Sequence, residues 1–161
     1  MTTTLHKETA LPAIQKIAKI TETKNTIPIL ANVALSVSGG VLTMTGTDMD
    51  IEVTVTVPCV SDTDWQCTVN ATDLAKIFGR AKDDINLTMN NHILRVSFGR
   101  TKVDFQTLPF EGFPVLASSE YDANFDMGGI EFADMLSRTI VAASTDEIKY
   151  YLNGVYWHTV D

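Results

Sequence analysis

Cysteine is nearly missing from this chain. Cys59 and Cys67 are the only two, at a spacing that matches no zinc motif, so neither a disulfide framework nor a structural zinc site organises the fold. They read as reduced thiols of a cytoplasmic protein. Basic residues are also short, with 12 Lys and Arg against 20 Asp and Glu and a net charge of −8. That balance argues against simple electrostatic attachment to nucleic acid. No apolar run is long enough to cross a bilayer, and Met1–Ala10 lacks the apolar core of a signal peptide, so no membrane partner is expected. His6, His92 and His158 are scattered without ligand spacing. No Ser/His/Asp set, phosphate-binding glycine loop or GxGxxG is present. With no active site, metal site or cofactor site in view, the chain reads as a non-catalytic binding and scaffolding protein.

What is present is a rhythm of short elements. Thr2–Leu5 is a β-branched run that reads as a strand. A helix is expected over Thr9–Thr21, with Thr9 as its N-cap and Pro12 in its first turn. Ala31–Ser38 alternates as a strand, Ser38-Gly39-Gly40 supplies a hairpin turn, and Val41–Thr47 returns. Ile51–Val57 alternates again, and Pro58 is expected to stop it. The pattern then restarts. Gln66–Val69 reads as a strand, and Asn70 caps a helix over Ala71–Lys82 with Asp73 at the capping-box position. Strands follow over Ile85–Met89, Ile93–Phe98 and Lys102–Gln106, separated by turns at Asn90-Asn91 and Gly99-Arg100. Both halves therefore read strand, helix, strand, strand, strand: an α+β fold of two βαβββ halves, with helices on one face of antiparallel sheets. A domain over 1–116 is expected, then a polar linker over 117–123, then an incomplete third βαβ unit over 124–161. In that last unit Asn124–Met127 and Tyr150–Val160 read as strands and Ile130–Ala143 as a helix. One such unit cannot bury much apolar surface. Phe125, Phe132, Met135, Leu136, Tyr151, Leu152 and Trp157 would lack partners, which suits the front part of a longer protein or a chain that borrows a sheet.

The two expected helices share a layout. On a helical wheel Leu11, Ile14, Ala18 and Thr21 cluster, with Ala10 and Ile17 at the margin, and Lys16 and Lys19 lie opposite. Leu74, Phe78 and Ala81 form one face of the second helix, with Ile77 at its margin and Lys76 and Arg80 opposite. Residues 6–24 hold Lys7, Lys16, Lys19 and Lys24 against Glu8 and Glu22, and residues 70–82 hold Lys76, Arg80 and Lys82 against Asp73. Long basic side chains often do no more than solvate a helix; two helices repeating the arrangement in an acidic chain make a shared basic surface a real alternative. Asp48, Asp50 and Glu52 alternate along one strand face and could gather a divalent ion, although a solvated strand face beside a turn is the reading the pattern favours.

Four stretches carry a resemblance. They are Thr26-Ile27-Pro28-Ile29-Leu30 followed by Asn32; Leu42-Thr43-Met44-Thr45-Gly46-Thr47-Asp48 running on to Glu52; Thr107-Leu108-Pro109 with Phe113-Pro114; and Tyr150-Tyr151-Leu152-Asn153-Gly154. In this order and spacing the chain resembles the bacterial DNA polymerase III beta subunits, the replication sliding clamps, over their N-terminal domain and the start of the second. The resemblance implies three similar domains per full-length chain and two chains closed into a homodimeric ring. Helices line the hole and duplex DNA threads through. A ring holds DNA by topology, so weak non-specific phosphate contact suffices and net acidity is no obstacle.

By position, the resemblance implies DNA-facing roles for Lys24, Tyr150 and Tyr151, and it gives Lys16, Lys19, Lys76 and Arg80 a purpose. Asp146 falls in the same loop as the tyrosines, where the family can carry a neutral polar group. Lys149 and Leu152 match the edge of a pocket that receives short peptides from the DNA polymerase and the clamp loader. Arg100, Lys102, Val103 and Phe105 match the strand that meets the partner chain. No cofactor is implied, and the role is that of a processivity factor. A competing reading is a self-standing interaction module that keeps the clamp's first domain without encircling DNA.

Overall fold

A computed structural model describes residues 2–21, 27–116 and 126–158. The chain divides into two compact units, Met1–Ala117 and Ser118–Asp161. In the first, the element order is β1 (Thr2–Leu5), α1 (Lys7–Ala18), β2 (Asn32–Ser38), β3 (Val41–Thr47), β4 (Glu52–Ser61), β5 (Trp65–Asn70), α2 (Ala71–Arg80), β6 (Ile85–Asn90), β7 (Ile93–Phe98) and β8 (Thr101–Gln106). The strand-helix-three-strand repeat is present twice. All eight strands join one antiparallel sheet in the order β5-β2-β3-β4-β1-β6-β7-β8. Each half thus lends its first strand to the other: β5 pairs with β2, and β1 with β6. That exchange makes one core of two halves. Leu5, Ile14, Ile17, Leu35, Leu42, Met44, Leu74, Phe78, Leu87 and Leu94 all lie in a single buried cluster.

Two of the family-like stretches are joined through β5, and a third helps to close the unit. Asn32 donates through its side-chain amide to Thr68 Oγ1 at 3.0 Å, and the Thr68 backbone exchanges two hydrogen bonds of 3.1 Å with Leu108. The segment after β8 is therefore tied to β5 at the far end of the sheet. Glu52 Oε2 accepts from the Leu116 N–H at 3.0 Å and holds the last part of the unit. Gly46, on β3, lies under α1: a Cβ there would stand 2.5 Å from Ile17 Cγ2, so only glycine lets the helix sit this close to the sheet.

Several boundaries differ from the expectation. α1 starts at Lys7, not after Thr9, and His6 occupies the N-cap without a side-chain capping bond. His6 Nδ1 instead meets Asp84 Oδ1 at 3.0 Å, and the Thr9 hydroxyl donates to the His6 carbonyl. Pro12 consequently falls in the second turn and cannot donate to the carbonyl of Glu8. The helix ends at Ala18, and Lys19–Thr21 close as a tightened turn onto Lys16 and Ile17. Pro58 does not stop β4. Cys59 N–H donates to Gly40 O at 2.8 Å, so by alternation the Pro58 nitrogen points the other way, past Leu5, where β1 has ended. No ladder bond is lost there, and the strand runs on to Ser61. β4 begins at Glu52, not Ile51, and α2 ends at Arg80, two residues before Lys82.

The buried side of α1 is Ala10, Ala13, Ile14 and Ile17, with Leu11 and Ala18 only half-buried. The wheel placed Ala10 and Ile17 at the margin because it allows for one neighbour. α1 has two: the sheet beneath and α2 beside it, which takes the Leu11 and Ala18 side. Asn70 caps α2 as expected, its side chain accepting from the Asp73 N–H at 3.0 Å, while the Asp73 carboxylate accepts from Lys76 Nζ instead of completing a capping box.

In the second unit α3 spans Gly129–Thr139 and continues as a short 3-10 turn over Ile140–Ala142. The expected strand over Tyr150–Val160 is absent among the described residues; Glu147–Leu152 forms a 3-10 turn instead. Asp146 explains this locally. Its carboxylate accepts from the Ile148 N–H at 2.9 Å and starts a turn, whereas a strand needs a neighbour to bond to. Asp126 and Met127 are not in a strand either; the rest of that expected strand and the whole of the linker fall outside the described residues. The Phe132 and Trp157 rings lie 5.0 Å apart, tilted by 33°, while Met135, Tyr151 and Leu152 are exposed. No described helix is long and apolar enough to cross a membrane.

Candidate nucleic-acid interface

The two helices of the first unit lie side by side, and their groove shows which way they run. At one end, Lys16 and Ala18 of α1 and Lys19 at its C-cap face Thr72, Ala75 and Lys76 of α2. At the other, His6, Lys7 and Leu11 face Lys82, Asp83 and Asp84 just beyond α2. The helices are therefore antiparallel, as the two halves of a duplicated unit require. The first part of the groove is an open trough of about 740 Å³. Its floor is small and apolar, and its rim carries three ammonium groups.

Each rim residue is placed by what its helix buries. Ile14 and Ile17 go into the core, so Lys16 and Lys19 point out of it. Leu74 and Phe78 do the same for Lys76 and Arg80. Lys16, Lys19, Lys76 and Arg80 are all exposed. Arg80 sits one turn beyond Lys76 on the same side of α2, but outside the trough lining. Lys76 Nζ meets Asp73 Oδ1 at 3.0 Å, an exposed pair of the kind that contributes little and yields to a competing anion. Gln15 and Thr72 also line the trough. Gln15 lies beside Lys16 and Thr72 one turn before Lys76, so the helical wheel that places the lysines carries the signal for these two as well. Lys24 lies outside the described residues.

The other expected site residues lie elsewhere. Tyr150, Tyr151, Lys149 and Leu152 belong to the second unit, on the 3-10 turn, and all are exposed. The tyrosine rings meet edge to face at 5.9 Å. At β8, Arg100 occupies the turn and Lys102 is exposed, while Val103 and Phe105 are half-buried, with Phe105 packed against the core. Asp104 takes a bidentate pair of 2.7 Å bonds from Arg95 on β7, and that bonding holds its carboxyl below the usual carboxylate range. β8 pairs only with β7 among the described strands, so its outer edge is open.

Two of the three carboxylates considered for a metal, Asp48 and Glu52, are occupied structurally. Asp48 Oδ1 accepts from the N–H groups of Ile51 at 2.7 Å and Asp50 at 3.0 Å, and those bonds lower its pKa. It steadies a turn in which Met49 has a φ of 82°. Glu52 is bonded to Leu116, as above. No group of three or more His, Cys, Asp or Glu converges among the described residues. Cys67 is buried, and burial pushes its thiol up to about 12, which leaves almost no thiolate near neutral pH.

A duplicated strand-helix-three-strand unit with two antiparallel basic helices on one side defines the class of protein. The family described as "DNA polymerase III beta subunit, N-terminal domain" matches residues 1–117, and the chain belongs to that family. It is 32% identical to the beta sliding clamp of Caulobacter vibrioides over the whole of this chain and 44% of that protein. It is 30% identical to the beta sliding clamp of Pseudomonas aeruginosa, over 94% of this chain and 42% of that one. Among solved structures, the sliding clamp of Bartonella birtlesii bound to griselimycin superposes with a TM-score of 0.92 at 29% identity, covering 99% of this chain and 44% of that one. The Caulobacter crescentus polymerase III beta structure gives 0.89 at 32%. The chain spans less than half the length of these relatives.

Proposed function

We propose that this chain supplies the N-terminal part of a non-catalytic DNA polymerase processivity factor, a sliding clamp that surrounds duplex DNA in the cytoplasm and tethers the replicative polymerase. The observation that carries the proposal is the trough between α1 and α2, rimmed by Lys16, Lys19 and Lys76 in a chain of net charge −8. A basic strip on an acidic body directs DNA to one face and repels it from the others. The helices present ammonium groups but no reading head for base edges, which suits a protein that slides. Arg80 adds a further cation on α2, and on this reading Lys24, Tyr150 and Tyr151 are also DNA-facing residues. In the longer protein, residues 124–161 begin a second domain after the link at 117–123. Lys149 and Leu152 border a pocket for peptides of the polymerase and clamp loader. Arg100, Lys102, Val103 and Phe105 meet the partner chain of a homodimeric ring.

A second reading, the self-standing interaction module, draws on the open β8 edge and the exposed apolar residues of the second unit. Duplex binding separates the two. Measured by fluorescence anisotropy at low salt, duplexes of unrelated sequence bind this chain with equal, modest affinity that falls as salt rises. A strong preference for one sequence, or no duplex binding together with a discrete oligomer in solution, would contradict the clamp reading.

A further inference from the structure

The loop from Ser144 to Asn153 closes on itself. The Ser144 N–H donates to Leu152 O at 2.8 Å. Within the loop, Ser144 Oγ accepts from the Asp146 N–H at 3.0 Å and Asp146 Oδ1 from the Ile148 N–H. The Asp146 carbonyl accepts from the Lys149 N–H at 3.2 Å, and the Tyr150 carbonyl from the Asn153 N–H at 3.1 Å. One side chain completes the closure. The amide of Asn153 faces the carbonyl oxygens of Ser144 and Asp146, which can only accept, so its nitrogen is the atom turned toward them. In that orientation it donates to Ser144 O at 2.9 Å and to Asp146 O at 3.3 Å. A residue at the loop's end thus grips two backbone groups at its start.

What the loop displays gives the closure its use. Lys149, Tyr150, Tyr151 and Leu152 stand between the gripped ends, with the tyrosines 77% and 70% exposed. Side chains this exposed are not positioned by packing; their backbone must be held instead. Lys149 departs from helical geometry, with φ −102° and ψ 49°, so the turn breaks and resumes where the display begins. Flanking bonds have to keep that break in one conformation.

We infer that Asn153 is a positioning residue for duplex contact: its side-chain amide fixes the backbone from which Tyr150 and Tyr151 reach DNA. The inference rests on the clamp reading for those tyrosines. An aspartate at 153 would turn both donors into acceptors aimed at two carbonyls, and an alanine would remove them without adding charge.

The test uses the whole chain, isotope-labelled, with Asn153→Ala and Asn153→Asp. Amide exchange at Ser144 reads the loop closure, and amide shifts on adding a short mixed-sequence duplex read the contact. With two hydrogen bonds lost, Ser144 is expected to exchange about tenfold faster in both variants, while Phe78 and Leu94 amides in the first unit keep their wild-type rates. Duplex-induced shifts at Tyr150 and Tyr151 are expected in the wild type and lost in both variants, with those at Lys16, Lys19 and Lys76 retained. Wild-type exchange at Ser144 in Asn153→Ala would overturn the inference. So would loss of the tyrosine shifts in Asn153→Asp alone, because added charge would then explain it. If Ser144 responds but the wild-type tyrosines do not shift, Asn153 holds the loop and the DNA reading of the loop is what fails.

Discussion

Phe78→Ala is expected to remove about 3–5 kcal/mol of stability from the first unit, the range for truncating a fully buried aromatic. Phe78 has no exposed surface and belongs to the buried cluster that both halves of the repeat share. Its ring lies beneath α2, where the helix backbone and the exchanged strands limit how far neighbours can collapse into the space. A domain of this size holds on the order of 5–15 kcal/mol in all, so the variant loses a large part of its margin. Urea unfolding followed by circular dichroism measures the change. A loss below about 1 kcal/mol would mean that Phe78 does not anchor α2 to the core. The effect reaches function, because the burial of Phe78 and Leu74 is what turns Lys76 and Arg80 outward.

The combined variant Lys16→Ala, Lys19→Ala, Lys76→Ala is expected to lower the slope of log affinity against log salt for duplex DNA by about 2–3, close to one unit for each phosphate contact removed. All three side chains are exposed, and the Lys76–Asp73 pair lies at the surface, so the fold should be spared. Lys102→Ala serves as the comparison: it removes a positive charge at the β8 edge, away from the trough. An equal change of slope from Lys102→Ala alone would mean that net charge, not the trough, governs binding.

Much of this arrangement was legible in the residues because local rules and tertiary structure agree. Val41–Thr47 and Ile93–Phe98 alternate cleanly between glycine- and asparagine-marked turns, and both are strands within those bounds. Asn70 with Asp73 three residues on announced the start of α2. The misreadings fall where distant contacts decide. Proline ends a strand only if its nitrogen faces a neighbour, and which side of β4 has a neighbour near Pro58 depends on where β1 ends. His6 is a poor capping type, and α1 starts there under a tie to Asp84, far along the chain. The spacing of the lysines and the repeated helix layout raised the prospect of a shared basic surface; the physical reason for their convergence was not legible. That reason is the exchange of β1 and β5 between halves, which sets α1 and α2 side by side and leaves no mark in either helix. Asn153 was visible only as part of a recurring stretch, since its partners are backbone carbonyls that carry no residue-specific signal.

The central claim is that DNA meets the α1–α2 face. Titrating the labelled chain with a short duplex and mapping the amide shifts onto the first unit tests it most directly. The expected result is a set of perturbations at Gln15, Lys16, Lys19, Thr72 and Lys76, with Thr54, Thr56 and Arg95 on exposed strand positions unmoved. Perturbations centred on those strand positions, with the trough residues silent, would contradict it.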